Sequence, residues 1–275
     1  EYTTENLEKF IKQNKELLKS DYVVICDTAQ IGPDQPAITY GLRGVCSYEL
    51  KFTGPNSDLH SGLYGGMVQN PVSALTRFCA QLHDKNFHIQ IPGFYEGVVE
   101  PENWEKEMWK SLPNIDDQLK QDLAIKDVFG EEGYTSYERN WIRPTCELNG
   151  FIGGYTGDGF KTVIAKQASV KISFRLVNGQ NPKVIDENFR RFVKENIPPG
   201  IEYELKNFGL APATLLNPQS EGMDCAIRAI EKVFFKKPFM VRCGASIPVT
   251  AMFKSYCNLD SLMIGLGQPD DNYHA

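Results

Sequence analysis

Two short runs near opposite ends of the chain, Tyr22-Val23-Val24-Ile25-Cys26 and Leu262-Met263-Ile264-Gly265-Leu266, are almost wholly apolar. Runs of four to eight apolar residues without alternation read as strands buried on both faces, as in the sheets of α/β domains. Each has a helical pattern upstream. Leu7, Phe10, Ile11, Leu17 and Leu18 recur at roughly helical spacing between Asn6 and Lys19, and Cys225 to Phe235 reads as a helix. The two ends therefore read as parts of one α/β domain, about 1–43 and 212–275, with 44–211 inserted between them. A length of 275 residues agrees with two domains.

The inserted stretch has its own order. Val45 to Thr53 alternates like a half-buried strand, and Asn70-Pro71 opens a helix to about Asp84, with Pro71 suited to its first turn. A strand near Arg143–Glu147 is followed by Ala168–Val177, where Val170, Ile172, Phe174 and Leu176 oppose Lys171, Ser173 and Arg175. A helix from Pro182 to Asn196 and a strand Ile201–Lys206 complete the series β-α-β-β-α-β, that of a ferredoxin-like α+β sandwich. The polar, partly helical stretch from Pro101 to Tyr137 is expected to be a surface insertion.

Composition excludes several classes. The net charge of −6 argues against nucleic acid as a partner. No apolar run approaches the ~20 residues that cross a bilayer, so no membrane is expected. Seven cysteines lie scattered, without zinc-finger or redox spacing, and read as reduced, mostly buried thiols. The chain has no Asn-x-Ser/Thr acceptor, and its first residues lack both the basic region and the apolar stretch of a signal peptide. A cytoplasmic location is expected. The first residue is Glu1 rather than Met, so the natural start is expected to lie upstream.

Asp27 and His274 stand just beyond the two apolar runs, where ligands collect in α/β sheets. A carboxylate and an imidazole are ordinary zinc ligands, but a catalytic zinc takes about three protein ligands and a water. His60 lies in Asp58-Leu59-His60-Ser61-Gly62, followed by Tyr64-Gly65-Gly66, glycines that allow close approach to another chain or ligand. The planar guanidinium of Arg175 could grip a carboxylate with two hydrogen bonds, although an ordinary salt bridge on a sheet face is the simpler reading. The Gly153–Gly159 segment lacks the Gly-Lys-Ser/Thr ending of a phosphate loop. From the residues alone the reading is a two-domain α/β protein with a metal or carboxylate site.

At these same positions the chain resembles the dinuclear zinc peptidases that include carnosinases, aminoacylases and carboxypeptidase G, and most of all the carnosinase-like dipeptidases. The likeness is carried in order by Ile25-Cys26-Asp27, Ile38-Thr39-Tyr40-Gly41-Leu42-Arg43-Gly44, Asp58-Leu59-His60-Ser61-Gly62, Gly159-Phe160-Lys161-Thr162-Val163-Ile164, Phe174-Arg175-Leu176 and Ser246-Ile247-Pro248. The resemblance implies an incomplete zinc-peptidase catalytic domain interrupted by a lid that also dimerises. It implies two zinc ions, with Asp27 and His274 as metal ligands, and a bridging water activated for attack. His60 would reach a partner's active site to steady the oxyanion. Thr162, Arg175 and Ser246 would contact the substrate, Arg175 at its free C-terminal carboxylate. The family's His-x-Asp motif, bridging aspartate and glutamate pair find no counterpart here and are expected upstream of residue 1, which leaves the metal site incomplete and the span inactive by itself. Phe208 stands where carnosinases place a substrate-binding histidine, and Ala165 and Ala245 replace a proline and a glycine of the usual motifs. The implied function is hydrolysis of dipeptides or short peptides with a free C-terminus. The alternatives are a non-catalytic dimerisation or binding module, or a zinc deacylase of N-acyl amino acids.

Overall fold

The computed structural model describes residues 3–268 and 271, with side chains from residue 6. His274 lies outside the described residues. Helix α1 (Thr3–Gln13) leads to strands β1 (Tyr22–Ile25), β2 (Ala37–Leu42) and β3 (Gly44–Thr53). Next come β4 (Leu59–His60), α2 (Ser61–Tyr64) and α3 (Pro71–Ala80), then helices α4 (Asn103–Lys110), α5 (Asp116–Asp122) and α6 (Ser136–Trp141). Strands β5 (Thr145–Gly153), β6 (Val163–Ile164) and β7 (Gln167–Leu176) precede α7 (Pro182–Glu195) and β8 (Glu202–Ala211). The chain continues through β9 (Thr214–Leu215), α8 (Glu221–Phe234), β10 (Phe239–Cys243), α9 (Pro248–Cys257) and β11 (Asp260–Ile264).

One sheet runs β1-β11-β2-β10, with β9 also paired to β2. The two apolar runs at the ends of the sequence are neighbours in it: β1 pairs β11 in parallel, Ile25 against Met263. The sheet is mixed, because β11 meets β2 antiparallel while β10 meets β2 parallel. All six residues of β2 are buried. The expectation that Tyr22–Cys26 is fully buried is corrected: among the described residues β1 pairs with β11 alone, Val24 is 58% exposed, and Cys26 lies open to solvent. An apolar run does not say how many neighbours its strand has.

The second sheet, β5-β7-β3-β8, is antiparallel throughout and has the ferredoxin-like order. Cys46, Tyr48, Leu50 and Phe52 of β3 and Val170, Ile172, Phe174 and Leu176 of β7 bury one face against Leu75 and Phe78 of α3 and Phe189 and Val193 of α7. Both helices start the same way. Asn70 and Asn181 accept hydrogen bonds from Val72 N–H (2.9 Å) and Lys183 N–H (3.0 Å), and proline occupies the first turn, where its missing donor costs nothing.

The segment 101–137 is not the surface insertion its polarity suggests. Trp109 and Leu112, with Trp141 and Ile142, bury against Ala37 of β2 and Val241 of β10, so this stretch packs on the first sheet. Its deepest polar contact is Glu105, 2% exposed, whose carboxylate accepts hydrogen bonds from Tyr40 and from the Arg242 guanidinium. The seven cysteines are all free, but only Cys46, Cys79 and Cys146 are buried, while Cys26 and Cys225 are exposed.

Arg43 alone separates β2 from β3 and so carries the chain from one sheet to the other; Pro212 and Ala213 carry it back. The two passages touch at Gly44, where a Cβ would lie 2.5 Å from Ala211 O and 2.6 Å from Ala213 N.

Candidate active site

Where the sheets meet, the sequence candidates Arg175 and Ser246 come together. Arg175 lies on the polar face of β7 and pairs across the ladder with Val45 and Thr145. Ser246 lies between β10 and α9. Its hydroxyl accepts a hydrogen bond from Arg175 Nη1 (3.0 Å) and donates its own proton to Arg43 O (2.6 Å). Among the described residues no carboxylate makes a salt bridge to Arg175, so the ordinary salt-bridge reading of this side chain is not what the structure contains. Burial, and then the charge of nearby Arg175, bring the Arg43 guanidinium down to about 10 from its ordinary 12.5.

His60 and Thr162 form a second cluster. The β4–β6 ladder pairs His60 with Val163 and sets Thr162 Oγ1 3.2 Å from His60 Nε2. Gly62 N–H donates to His60 Nδ1 at 3.0 Å. That bond assigns the neutral tautomer with its proton on Nε2, which makes Nε2 the donor toward Thr162. Thr162 therefore stands with His60 and not with Arg175 and Ser246. The clusters sit off opposite ends of the ten-residue β7, about 30 Å apart along a strand of that length.

Asp27 is exposed just after β1. Because β11 runs against β2 and β10 runs with it, Asp27 and Ser246 lie beyond opposite ends of β2. Phe208 of β8 is 54% exposed, with Lys206 Nζ 4.7 Å from its ring centre. The residue that sequence reasoning did not assign is Arg43. It was legible only as one residue of the Ile38–Gly44 block, and nothing in the pattern marks it as part of the Arg175 cluster.

Comparison with known proteins identifies the family. Residues 40–201, more than half of the chain, match the family model described as the peptidase dimerisation domain of the M20 peptidases. The chain belongs to this family. The Cys-Gly metallodipeptidase of Schizosaccharomyces pombe is 31% identical over the whole chain, which spans 59% of that protein. The β-Ala-His dipeptidase of Mus musculus is 31% identical over 98% of the chain and 56% of its own length. Among solved structures, human carnosine dipeptidase 1 superposes with a TM-score of 0.83 at 28% identity, over 98% of this chain and 57% of that one. An M20 family metallo-carboxypeptidase from Sulfolobus solfataricus gives 0.83 at 27% identity, over 94% and 60%. The chain thus spans a little over half the length of the relatives it matches. These neighbours fit the architecture of a catalytic domain with a lid.

The family is one of metallopeptidases and implies a divalent metal. Among the described residues no three His, Cys, Asp or Glu side chains converge as a metal site needs. Asp27 stands without a second ligand there, and these residues do not by themselves fit a metal centre. No described helix is long and apolar enough to cross a membrane.

Proposed function

We propose that the complete protein is a two-zinc dipeptidase acting on short peptides with a free C-terminus, and that residues 44–211 make up its lid except for the 101–142 segment, which packs on the sheet of the catalytic domain formed by 1–43 and 212–275. The observation that carries this reading is Arg175: a half-buried guanidinium that has no carboxylate partner among the described residues and is held by Ser246 where the two sheets meet. A forked cation matches a terminal carboxylate in shape and charge, and two parallel charge-assisted bonds fix the peptide's orientation as well as its affinity. Ser246 keeps the fork from rotating before the peptide arrives.

His60 supplies a neutral Nε2–H donor, of the kind that stabilises charge developing on an attacked carbonyl oxygen. Its separation from Arg175 within one chain supports a homodimer in which each lid extends His60 and Thr162 to the other subunit's substrate. Asp27 and His274 would be metal ligands completed by residues outside this chain. Seven free cysteines support a reducing, cytoplasmic setting. Exposed Phe208 has no ring nitrogen to meet an imidazole, which favours Cys-Gly-like substrates over β-Ala-His.

The test is kinetic. In the full-length gene product, Arg175→Ala should raise KM for a dipeptide about 10- to 100-fold, the worth of a charge-assisted bidentate pair. It should leave KM for the same dipeptide's C-terminal amide unchanged. Equal effects on both substrates would remove the carboxylate role. N-acyl amino acids also carry a free carboxylate, so a panel in which they outperform dipeptides would move the assignment to a zinc deacylase. The match to a dimerisation domain favours a second reading, a non-catalytic dimerisation module; a natural product that binds no stoichiometric metal would establish it.

A further inference from the structure

Arg43 is an unusual side chain for a passage between two sheets. It is 9% exposed, and its Nη1 is buried without any hydrogen-bond partner among the described residues. A buried guanidinium is normally paired with a carboxylate, yet the strongest charge acting on this one is another cation, Arg175. The Cys243 thiol and, after it, Glu147 act in the opposite sense, each more weakly than Arg175. Among the described residues neither Arg43 nor Arg175 makes a salt bridge, and two neighbouring guanidinium groups so placed mark a site that a negative group stabilises on arrival.

The hydrogen bonds that Arg43 makes go to the end of β10 and the loop that follows it. Its Nε donates to Gly244 O (2.8 Å), and its backbone N–H faces Cys243 O (3.3 Å) and Ala245 O (3.2 Å). Its carbonyl takes the Ser246 proton, and the same Ser246 oxygen accepts from Arg175. A relay therefore runs from Arg175 Nη1–H to Ser246 Oγ and from Ser246 Oγ–H to the Arg43 carbonyl, while the Arg43 side chain holds the loop that bears Ser246. Bonds in such a series polarise one another.

We propose that Arg43 is a positioning residue for carboxylate capture: through the Gly244–Ser246 loop it orients the Arg175 fork, and it adds a second buried positive charge behind the site. This rests on the reading of Arg175 as the carboxylate-binding residue and extends it. The bound group is a single carboxylate, contacted by Arg175 and not by Arg43, whose Nη1 lies out of reach of solvent.

The experiment uses the full-length gene product with alanyl-alanine and its C-terminal amide. Arg43→Gln should raise KM for the free acid about tenfold, one well-made charge-assisted contact, with kcat within threefold and the amide unaffected. Arg43→Lys keeps the charge but loses the Nε–H that holds Gly244, and should give a smaller, equally selective rise; it carries the test if the glutamine variant does not fold. Because Arg43 acts through Arg175, the double variant Arg43→Gln/Arg175→Ala should be no worse for the free acid than Arg175→Ala alone. If Arg175→Ala is selective for the acid while the Arg43 variants change both substrates equally or neither, Arg43 is only structural and the proposal is overturned. If Arg175→Ala is itself unselective, the carboxylate reading fails and takes the role of Arg43 with it.

Discussion

Removing the Glu105 carboxylate should be among the most damaging single changes available in this chain. Glu105 and Arg242 are 2% and 6% exposed, and Tyr40 is 1% exposed. The carboxylate accepts from Tyr40 Oη and from Arg242 Nε (3.0 Å) and Nη2, while its other oxygen takes Glu102 N–H at the start of α4 (2.6 Å). Burial pushes the Tyr40 phenol far above its ordinary value, so it stays a donor. Glu105→Ala therefore leaves a guanidinium uncompensated away from water, together with the buried Tyr40 hydroxyl. Breaking one side of a buried pair costs about 3–5 kcal/mol. For a chain of this size that corresponds to a fall in Tm of about 5–9 °C. Loss of packing by Trp109 and Leu112 of the same segment would follow, because Glu105 anchors the helix that presents them. The assay is chemical denaturation of the wild type, Glu105→Ala, Arg242→Met and the double variant Glu105→Leu/Arg242→Met. The double variant should recover most of the loss, since no unpaired charge remains. A single-variant cost below about 1 kcal/mol, or a double variant as poor as the sum of the singles, would refute the argument.

His60→Ala should lower kcat of the full-length enzyme about 10²- to 10³-fold, the usual worth of one oxyanion donor. Mixing His60→Ala and Arg175→Ala subunits, assayed at a dipeptide concentration well below KM where both variants are slow, should restore about a quarter of the wild-type kcat/KM by random assortment in a two-fold dimer, whereas residues acting within one chain would restore none. Gly44→Ala should destabilise by about 1–3 kcal/mol in denaturant titrations, because the added Cβ meets the backbone of Ala211 and Ala213 and no side chain can yield. Burial raises the Cys46 thiol to about 12 and Cys79 to about 11 from the ordinary 9.0. The unfolded chain then loses these protons first, so stability should fall as pH rises above 9, through the window up to 11–12. At pH 8, alkylation followed by mass spectrometry should label Cys26 and Cys225 at least about a hundredfold faster than Cys46 or Cys79.

Much of the second sheet was legible because each of its elements announces itself locally. The alternation of β7 assigns Arg175 to the polar face, and the Asn-Pro pairs start α3 and α7. Periodicity is a property of one strand and its two faces, so it gave no measure of how far β5 and β8 extend past residues 147 and 206, nor that β1 pairs with β11 alone among the described residues. The 101–137 segment was misjudged for a deeper reason. Its buried charge is invisible without its partner, and Glu105 and Arg242 are 137 residues apart. The site divides in the same way. The chemistry of Arg175 and His60 can be read from side-chain type and neighbouring glycines. That Thr162 joins His60, and that Arg43 stands behind Arg175, depends on ladders and loops brought together only by folding.

The register that sets Val45 opposite Ala211 places the two ends of the second sheet's chain path side by side, the usual circumstance in which a module can be cut out and joined to another protein. The helices carrying Trp109 and Trp141 forbid so clean an excision here. A graft cut only at 43/44 and 211/212 would take with it a hydrophobic strap made to cover the first sheet, and would leave Ala37 and Val241 bare in the parent. A transplantable version must leave residues 101–142 behind and close the gap between the residue 94 and residue 145 regions with a new loop. Any recombination between proteins of this architecture faces the same constraint: the two bodies are separable in shape but interleaved in sequence.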